Sequence, residues 1–514
     1  MTTTALILLA AFGVLAWGFG RARPYGRIGI LAWLQSVVLM TPWLLFFGLF
    51  AAGIYLNLVW VLALVLVSAG LYIYLGRLLR ASGQDELATK RAEALAAKAM
   101  ESSTETPSAD PSALENEPSS AGVEAEPTES LKTDPPDAEA AVPAPIPAED
   151  LAAIEGIFGI DTFFRTETIP YDQGAIFKGN LRGQPAETAE KLNQLLAERL
   201  DERYHLFLIE GPEGKPVAVG LPSTADPQPT TLGQKILAGV LAIATFATCL
   251  ETAGIIQEFD FFRQPQRWPE ALPFALGLAA VLVVHEVGHR LVAERYDIRI
   301  SPPFFLPAWQ LGSFGGLMRF ESLLPNRSVL FDIAFAGPAA GGLLSLLFLL
   351  VGLVISHPGS YFQLPAAYFQ SSILVGALAR VVLGDALQQA VVDVHPLTLV
   401  GWLGLAITAL NVMPAGQLDG GRIVQAIYGR KTTGRATTIT LIGLALVSLV
   451  NPLALYWAIL ILFLQRRLER PCLDDLSEPD DARAALGLLI LFLMLVTLLP
   501  LTPSLAGRLG IGAT

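Results

Sequence analysis

Residues 281–290 read VLVVHEVGHR, which places two imidazoles and a carboxylate, His285, Glu286 and His289, directly after a run of apolar side chains. On a helix, positions i and i+4 share a face, so His285 and His289 can converge on one ion. Glu286 completes the spacing H-E-x-x-H, in which two imidazoles hold zinc and the carboxylate acts on a water. The plain alternative is a pair of core histidines at helical spacing. The upstream ALPFALGLAA is just as apolar, however, so the trio lies in a segment that reads as membrane-buried. Ionisable side chains are costly there and mark function.

A catalytic zinc typically takes three protein ligands and leaves one position open. The search for a third ligand leads to NVMPAGQLDGGR, residues 411–422, at the end of another apolar stretch. Asp419 is the candidate. Pro414, Gly416, Gly420 and Gly421 interrupt the helix and let the backbone turn this carboxylate inward, as is tolerated at membrane depth where the backbone lines a cavity. Asp-Gly-Gly is also a common turn. Asn411 could hydrogen-bond substrate backbone or a developing oxyanion, or satisfy local backbone at the helix end. His357 and His395 flank 355–396 near the opposite face and are rejected as ligands, and His205 reads as surface or partly packed. Cys249 and Cys472 lie too far apart in sequence to suggest a disulfide framework or a cysteine zinc cluster.

What must position these residues is a membrane protein. The chain has 514 residues, 53% hydrophobic and only 16% charged, a balance that fits a polytopic membrane protein with a soluble insert. Its net charge of −12 belongs to residues 81–150, which hold 16 acidic and 4 basic side chains, so the remainder is neutral. Nothing basic and aromatic suggests nucleic-acid binding. Apolar stretches near 4–20, 29–51 and 54–76 make residues 1–80 an N-terminal membrane region of about three spans, each near the roughly 20 residues a bilayer needs. Arg21, Arg23 and Arg27, and then Arg77, Arg80, Lys90 and Arg91, place the flanks of the first and third in the cytoplasm. The N-terminus reads as a retained span, and without the composition of a transit peptide it suggests a bacterial plasma or thylakoid membrane.

Residues 81–150 are rich in Ala, Glu, Ser and Pro and read as an acidic disordered linker. Residues 151–231 read as a small cytoplasmic α+β domain, with an amphipathic helix over 186–200 and a hairpin in YHLFLIEGPEGKPVAVGLP. From 232 to 505 the expected spans are 234–256, 270–292, 330–354, 397–414 and 484–501, and 506–514 is a tail. The stretch 437–465 is either one span or a helical hairpin broken near Asn451-Pro452. Arg290, Arg295 and Arg299 put the end of the HExxH helix on the cytoplasmic side. The Gly-rich LGSFGGLMRFESLL, 311–324, suggests a membrane-surface β-hairpin to which an extended substrate could add as a strand. AGPAAGG, 336–342, suggests close helix packing.

VVHEVGH and LNVMPAGQLDGGR together resemble the two signature segments of the site-2 protease family of intramembrane zinc proteases, peptidase family M50. GSFGGLMRFESLLPNR and FAGPAAGG between them are similar to its core, and FKGNLRG at 177–183 resembles the plant and cyanobacterial branch named for ethylene-dependent gravitropism-deficient and yellow-green proteases. The resemblance covers about 151–505. It implies an all-α polytopic core with a small α+β domain and a membrane-associated β-hairpin. It also implies one Zn2+ per chain on His285, His289 and Asp419, with Glu286 and Asn411 as catalytic residues. Transmembrane proteins within the lipid bilayer would be the substrates. An inactive relative acting as a binding or assembly factor, and a metal transporter, are the alternatives.

Overall fold

The computed structural model describes residues 13, 15–16, 18–51, 67–68, 70–71, 74–76, 78–79 and 146–511, except 172, 212 and 213. The chain divides into two compact units, Met1–Pro135 and Pro136–Thr514. In the first, helix α1 (Gly26–Ala51) covers the stretch expected at 29–51. The expected spans 4–20 and 54–76 lie largely outside the described residues. So does the expected linker as far as 145, and its end already belongs to helix α2 (Ala148–Glu155).

The second unit begins with a four-stranded antiparallel sheet of order β1-β2-β4-β3, built from β1 (Phe163–Tyr171), β2 (Gly174–Leu181), β3 (Tyr204–Glu210) and β4 (Pro216–Pro222). Helix α3 (Pro185–Leu200) packs on it. Pro185 stands in its first turn, where no amide proton is needed, and Leu192, Leu196 and Leu200 recur at i+4 to form one buried stripe. That stripe meets Ile154, Phe163, Phe177, Leu206 and Leu208. Truncating Leu196 to Ala is expected to cost about 2–5 kcal/mol, read as faster amide hydrogen exchange across β3. Arg182 closes the GNLR stretch with its backbone N–H donating to Thr162 O at 2.8 Å. His205 pairs with Asp226 at 3.0 Å, a surface ion-pair geometry.

Four of the described helices are long and apolar enough to cross a membrane: α4 (Leu232–Ile256), α5 (Trp268–Arg295, continuing a turn from Pro265), α6 (Arg327–Val354) and α11 (Asp481–Leu498). Helix α8 (Pro396–Asn411) is shorter than the expected 397–414. Its 16 residues end at Asn411 because Met413-Pro414 leaves the helical path. Between α6 and α8 the chain forms β7 (Phe362–Pro365), α7 (Ile373–Leu383) and β8 (Val391–Val394). The sequence reading assigned no elements there, since four-residue strands are too short to show a period of two.

Helix α9 (Asp419–Val447) changes direction at Gly429 (φ 78°). Helix α10 (Pro452–Leu460), extended by a π turn to Gln465, follows a break at Asn451, whose side chain accepts from Leu453 N. Gly416 N–H donates to Thr437 on the outgoing helix and Gln417 N–H to Gln465 O on the returning one. The chain therefore goes out and comes back, so 437–465 forms the broken helical pair. Helix α12 (Pro503–Leu509) occupies part of the expected tail.

The β-hairpin begins earlier than 311–324: its strands are β5 (Phe304–Ala308) and β6 (Gly312–Leu317). Pro307 disguises β5 in the sequence, and it is accommodated by a register shift between Phe305 and Pro307 that leaves Phe314 and Gly315 bulged on β6.

Candidate metal centre

Helix α5 presents His285 and His289 one turn apart, and both are buried with Glu286. What lets helix α6 come close enough to bury them is the small-residue run AGPAAGG. A Cβ on Gly341 would lie 2.9 Å from His285 Cβ, and one on Gly337 would overlap the His289 ring. The close packing expected for 336–342 is thus packing against the two imidazoles. Gly337→Ala is accordingly expected to push His289 off its position and lower metal affinity about tenfold or more, measured by chelator competition.

Asp419 begins α9 and reaches the same place. Its Oδ2 lies 3.1 Å from His285 Nε2 and its Oδ1 3.5 Å from His289 Nε2, while the two Nε2 atoms are 3.2 Å apart. The sharp turn before it depends on glycine. At Gly416 φ is +48°, and a Cβ on Gly420 would overlap the carbonyl oxygen of Val412.

The arrangement can be tested against zinc. Bond lengths near 2.0–2.2 Å in a tetrahedral shell put ligand atoms roughly 3.3 Å apart; the two Nε2 atoms are 3.2 Å apart, and the Asp419 carboxylate approaches them at 3.1 Å through Oδ2 and 3.5 Å through Oδ1. The His289 tautomer agrees. Its Nδ1 lies 2.7 Å from Ile333 O, which can only accept, so the proton sits on Nδ1 and a neutral ring offers the Nε2 lone pair. The residues fit a zinc ion. Among the described residues this is the one group of three or more such side chains close enough to share an ion. Burial pushes the Cys472 thiol well above its ordinary range, and Cys472 is not part of this group.

Glu286 lies beside the trio with its carboxylate over Gly316 of β6, where any Cβ would overlap Oε1. Strand β6 therefore passes directly over the prospective base. Asn411, at the end of α8, behaves differently from a free oxyanion donor: its amide group donates to Phe314 O at 3.0 Å and to Ile407 O at 2.9 Å. In this structure the side chain clamps the bulge of β6 to α8, and both of its protons are used in doing so.

Sequence reasoning missed a second layer. Arg422, one turn after Asp419, is buried and bonds to Glu469 and to Met318 O, both at 2.9 Å. An arginine directly before the buried run IVQA was the available signal, but its partner stands 47 residues away and nothing local points to it.

Residues 273–450 match the family model described as Peptidase family M50, and residues 152–229 match the one described as the EGY3 middle domain. The chain is 40% identical over 363 residues to the Probable zinc metalloprotease EGY2, chloroplastic, of Arabidopsis thaliana, covering 69% of this chain and 65% of that relative. It is 37% identical over 404 residues to the Probable zinc metalloprotease EGY1, chloroplastic, of the same plant, covering 71% and 74%. Against the Probable zinc metalloprotease EGY3, chloroplastic, of Oryza sativa subsp. indica the figures are 31% over 384 residues, covering 69% and 64%. The chain thus spans somewhat less than two thirds of the EGY2 relatives, 65% of the one from Arabidopsis thaliana. These relatives are named as chloroplast proteins of plants, so the bacterial setting expected from the N-terminus draws no support from them. No solved structure matches the chain.

Proposed function

Because the chain belongs to peptidase family M50, in the branch of the EGY relatives, we propose that it is an intramembrane zinc endopeptidase. It hydrolyses peptide bonds of transmembrane proteins near the cytoplasmic side of the bilayer, in regulated intramembrane proteolysis. The observation that carries this reading is the buried trio His285, His289 and Asp419 with Glu286 beside it, in which the histidines and Glu286 stand on a helix long and apolar enough to cross a membrane.

In this reading residues 232–505 are the catalytic domain, 151–231 a cytoplasmic domain and 81–150 a tether. Arg290 and Arg295 at the end of the HExxH helix and Arg299 just beyond it support a cytoplasmic exit, which gives water a short route in. His285, His289 and Asp419 hold the ion, and bound there it would supply Lewis acidity toward the scissile carbonyl and the attacking water. The Glu286 carboxylate takes the proton of that water and delivers it to the leaving amine. Asn411 holds β6 in place, and β6 can align an extended substrate across Glu286. A transmembrane substrate must unwind first, because helical backbone is already hydrogen-bonded internally. With all four polar residues present, an inactive binding relative has no missing group to explain it. A transporter would need further ligands along a path, and the described residues offer a single cluster.

Metal removal tests the reading. Purified protein in liposomes with a single-span substrate is expected to lose cleavage when stripped by a zinc chelator and to regain it on adding zinc. Cleavage that continues in zinc-free protein would overturn the mechanism.

A further inference from the structure

The sheet order leaves β3 with one unpaired edge, and the segment Leu473–Asp475 fills it. Leu208 N–H donates to Leu473 O at 2.8 Å and Asp475 N–H to Leu208 O at 3.0 Å. On its other side the same segment bonds to the entrance of α6, with Leu473 N–H to Leu324 O and Asp474 N–H to Pro325 O, both 2.9 Å. This strap, running from the end of α10 to α11, also carries Glu469. The backbone of Glu469 is pinned on both sides: its N–H donates to Gln425 Oε1, and its carbonyl accepts from Gln425 Nε2 and from Arg430. Its carboxylate is thereby aimed at Arg422. Oε2 takes Nε and stands 2.9 Å from Nη2, and Nη2 also donates to Met318 O, just past β6.

The remaining nitrogen of that guanidinium, Nη1, stands 4.0 Å from Asp419 Oδ1. Arg422 and Asp419 are three residues apart on α9, a spacing at which arginine and carboxylate readily pair. Both are buried, so their attraction is weakly screened. A guanidinium free to close that gap would take the carboxylate in a forked hydrogen-bonded pair, and an oxygen so engaged is a poorer metal ligand.

We propose that Glu469 is a positioning residue for the metal centre: by holding Arg422 back against Met318 O, it keeps the Asp419 carboxylate available to the ion. Arg422 in turn ties the end of β6 to the helix that bears Asp419. The strap thus connects the sheet of the α+β domain with the geometry of the metal ligand. This inference rests on the zinc reading above and deepens it.

The test is zinc affinity of the full-length, detergent-purified protein, by competition with a chromophoric chelator. Glu469→Gln is expected to bind zinc about 10- to 100-fold more weakly than wild type, because Arg422 is released toward Asp419. The double variant Arg422→Gln/Glu469→Gln is expected to recover most of that loss, since the competitor is gone. A merely structural Glu469 would give no such rescue. Arg470→Gln removes a strap cation that donates to Ala225 O, away from Arg422, and is expected to leave affinity unchanged. Wild-type affinity in Glu469→Gln, or a double variant no tighter than the single, overturns the proposal. Should Glu469→Gln fail to fold, the double variant against wild type decides, with near-equal affinity supporting the proposal and clear weakening opposing it. A wild-type protein that binds no zinc at all would overturn the metalloprotease reading itself, which the variant comparison does not touch.

Discussion

Glu286→Gln is expected to slow peptide hydrolysis about 10²- to 10⁴-fold while zinc per chain stays at the wild-type value. The amide has nearly the shape of the carboxylate, so it fits over Gly316 as Glu286 does and leaves β6 where it is. What it lacks is the capacity to take a proton from water and return it to the leaving amine. His285 and His289 cannot substitute, because their Nε2 atoms face Asp419 and each other. The measurement is single-turnover cleavage of a transmembrane substrate in liposomes, with metal analysis on the same preparation. Cleavage within a few-fold of wild type would remove Glu286 from the mechanism, and zinc lost along with activity would show that the variant damaged the site and not the chemistry.

The second large effect is on the metal. Elemental analysis of gently purified protein is expected to find about one zinc per chain, and Asp419→Ala to leave little of it. Removing a ligand should cost more than the 10–100-fold typical of a group that only supports one. Two imidazoles from one helix remain, and nothing replaces the atoms that now stand 3.1 and 3.5 Å from them. Arg422 would also face the empty position, adding a positive charge where a cation must bind. Zinc retained undiminished in Asp419→Ala would mean that the third ligand lies elsewhere. Asp419→Asn should fall between the two, since it keeps an oxygen of the right reach but not its charge.

The sequence by itself determined the chemistry on each element. H-E-x-x-H forces His285 and His289 onto one helical face, since 3.6 residues per turn puts i and i+4 together, and the apolar run before it makes the polar trio expensive enough to need a purpose. The amphipathic helix over 186–200 and four long apolar helices were legible for the same reason: each is a local pattern whose period fixes the conformation. At 437–465 the sequence left one span and a hairpin broken near Asn451-Pro452 both open, and packing decided for the pair. Asp419 was reachable because glycines and a proline around it announce a turn at depth. Resemblance then tied it to the histidines, which spacing alone could not do across 134 residues.

Only the tertiary structure decided what surrounds these groups. Strand β5 was hidden by Pro307, whose missing donor is harmless at a register shift that no local pattern announces. The role of AGPAAGG depends on which side chains lie opposite, and those prove to be His285 and His289. Asn411 could donate to substrate or satisfy local backbone as far as the sequence tells, and the fold supplies Phe314 O and Ile407 O as acceptors. The chain Glu469, Arg422, Asp419 joins a strap, a helix and a ligand through buried charges. Ion pairing has no period and no preferred sequence separation, so side chains 47 residues apart become partners only when packing removes the water that would otherwise solvate each alone.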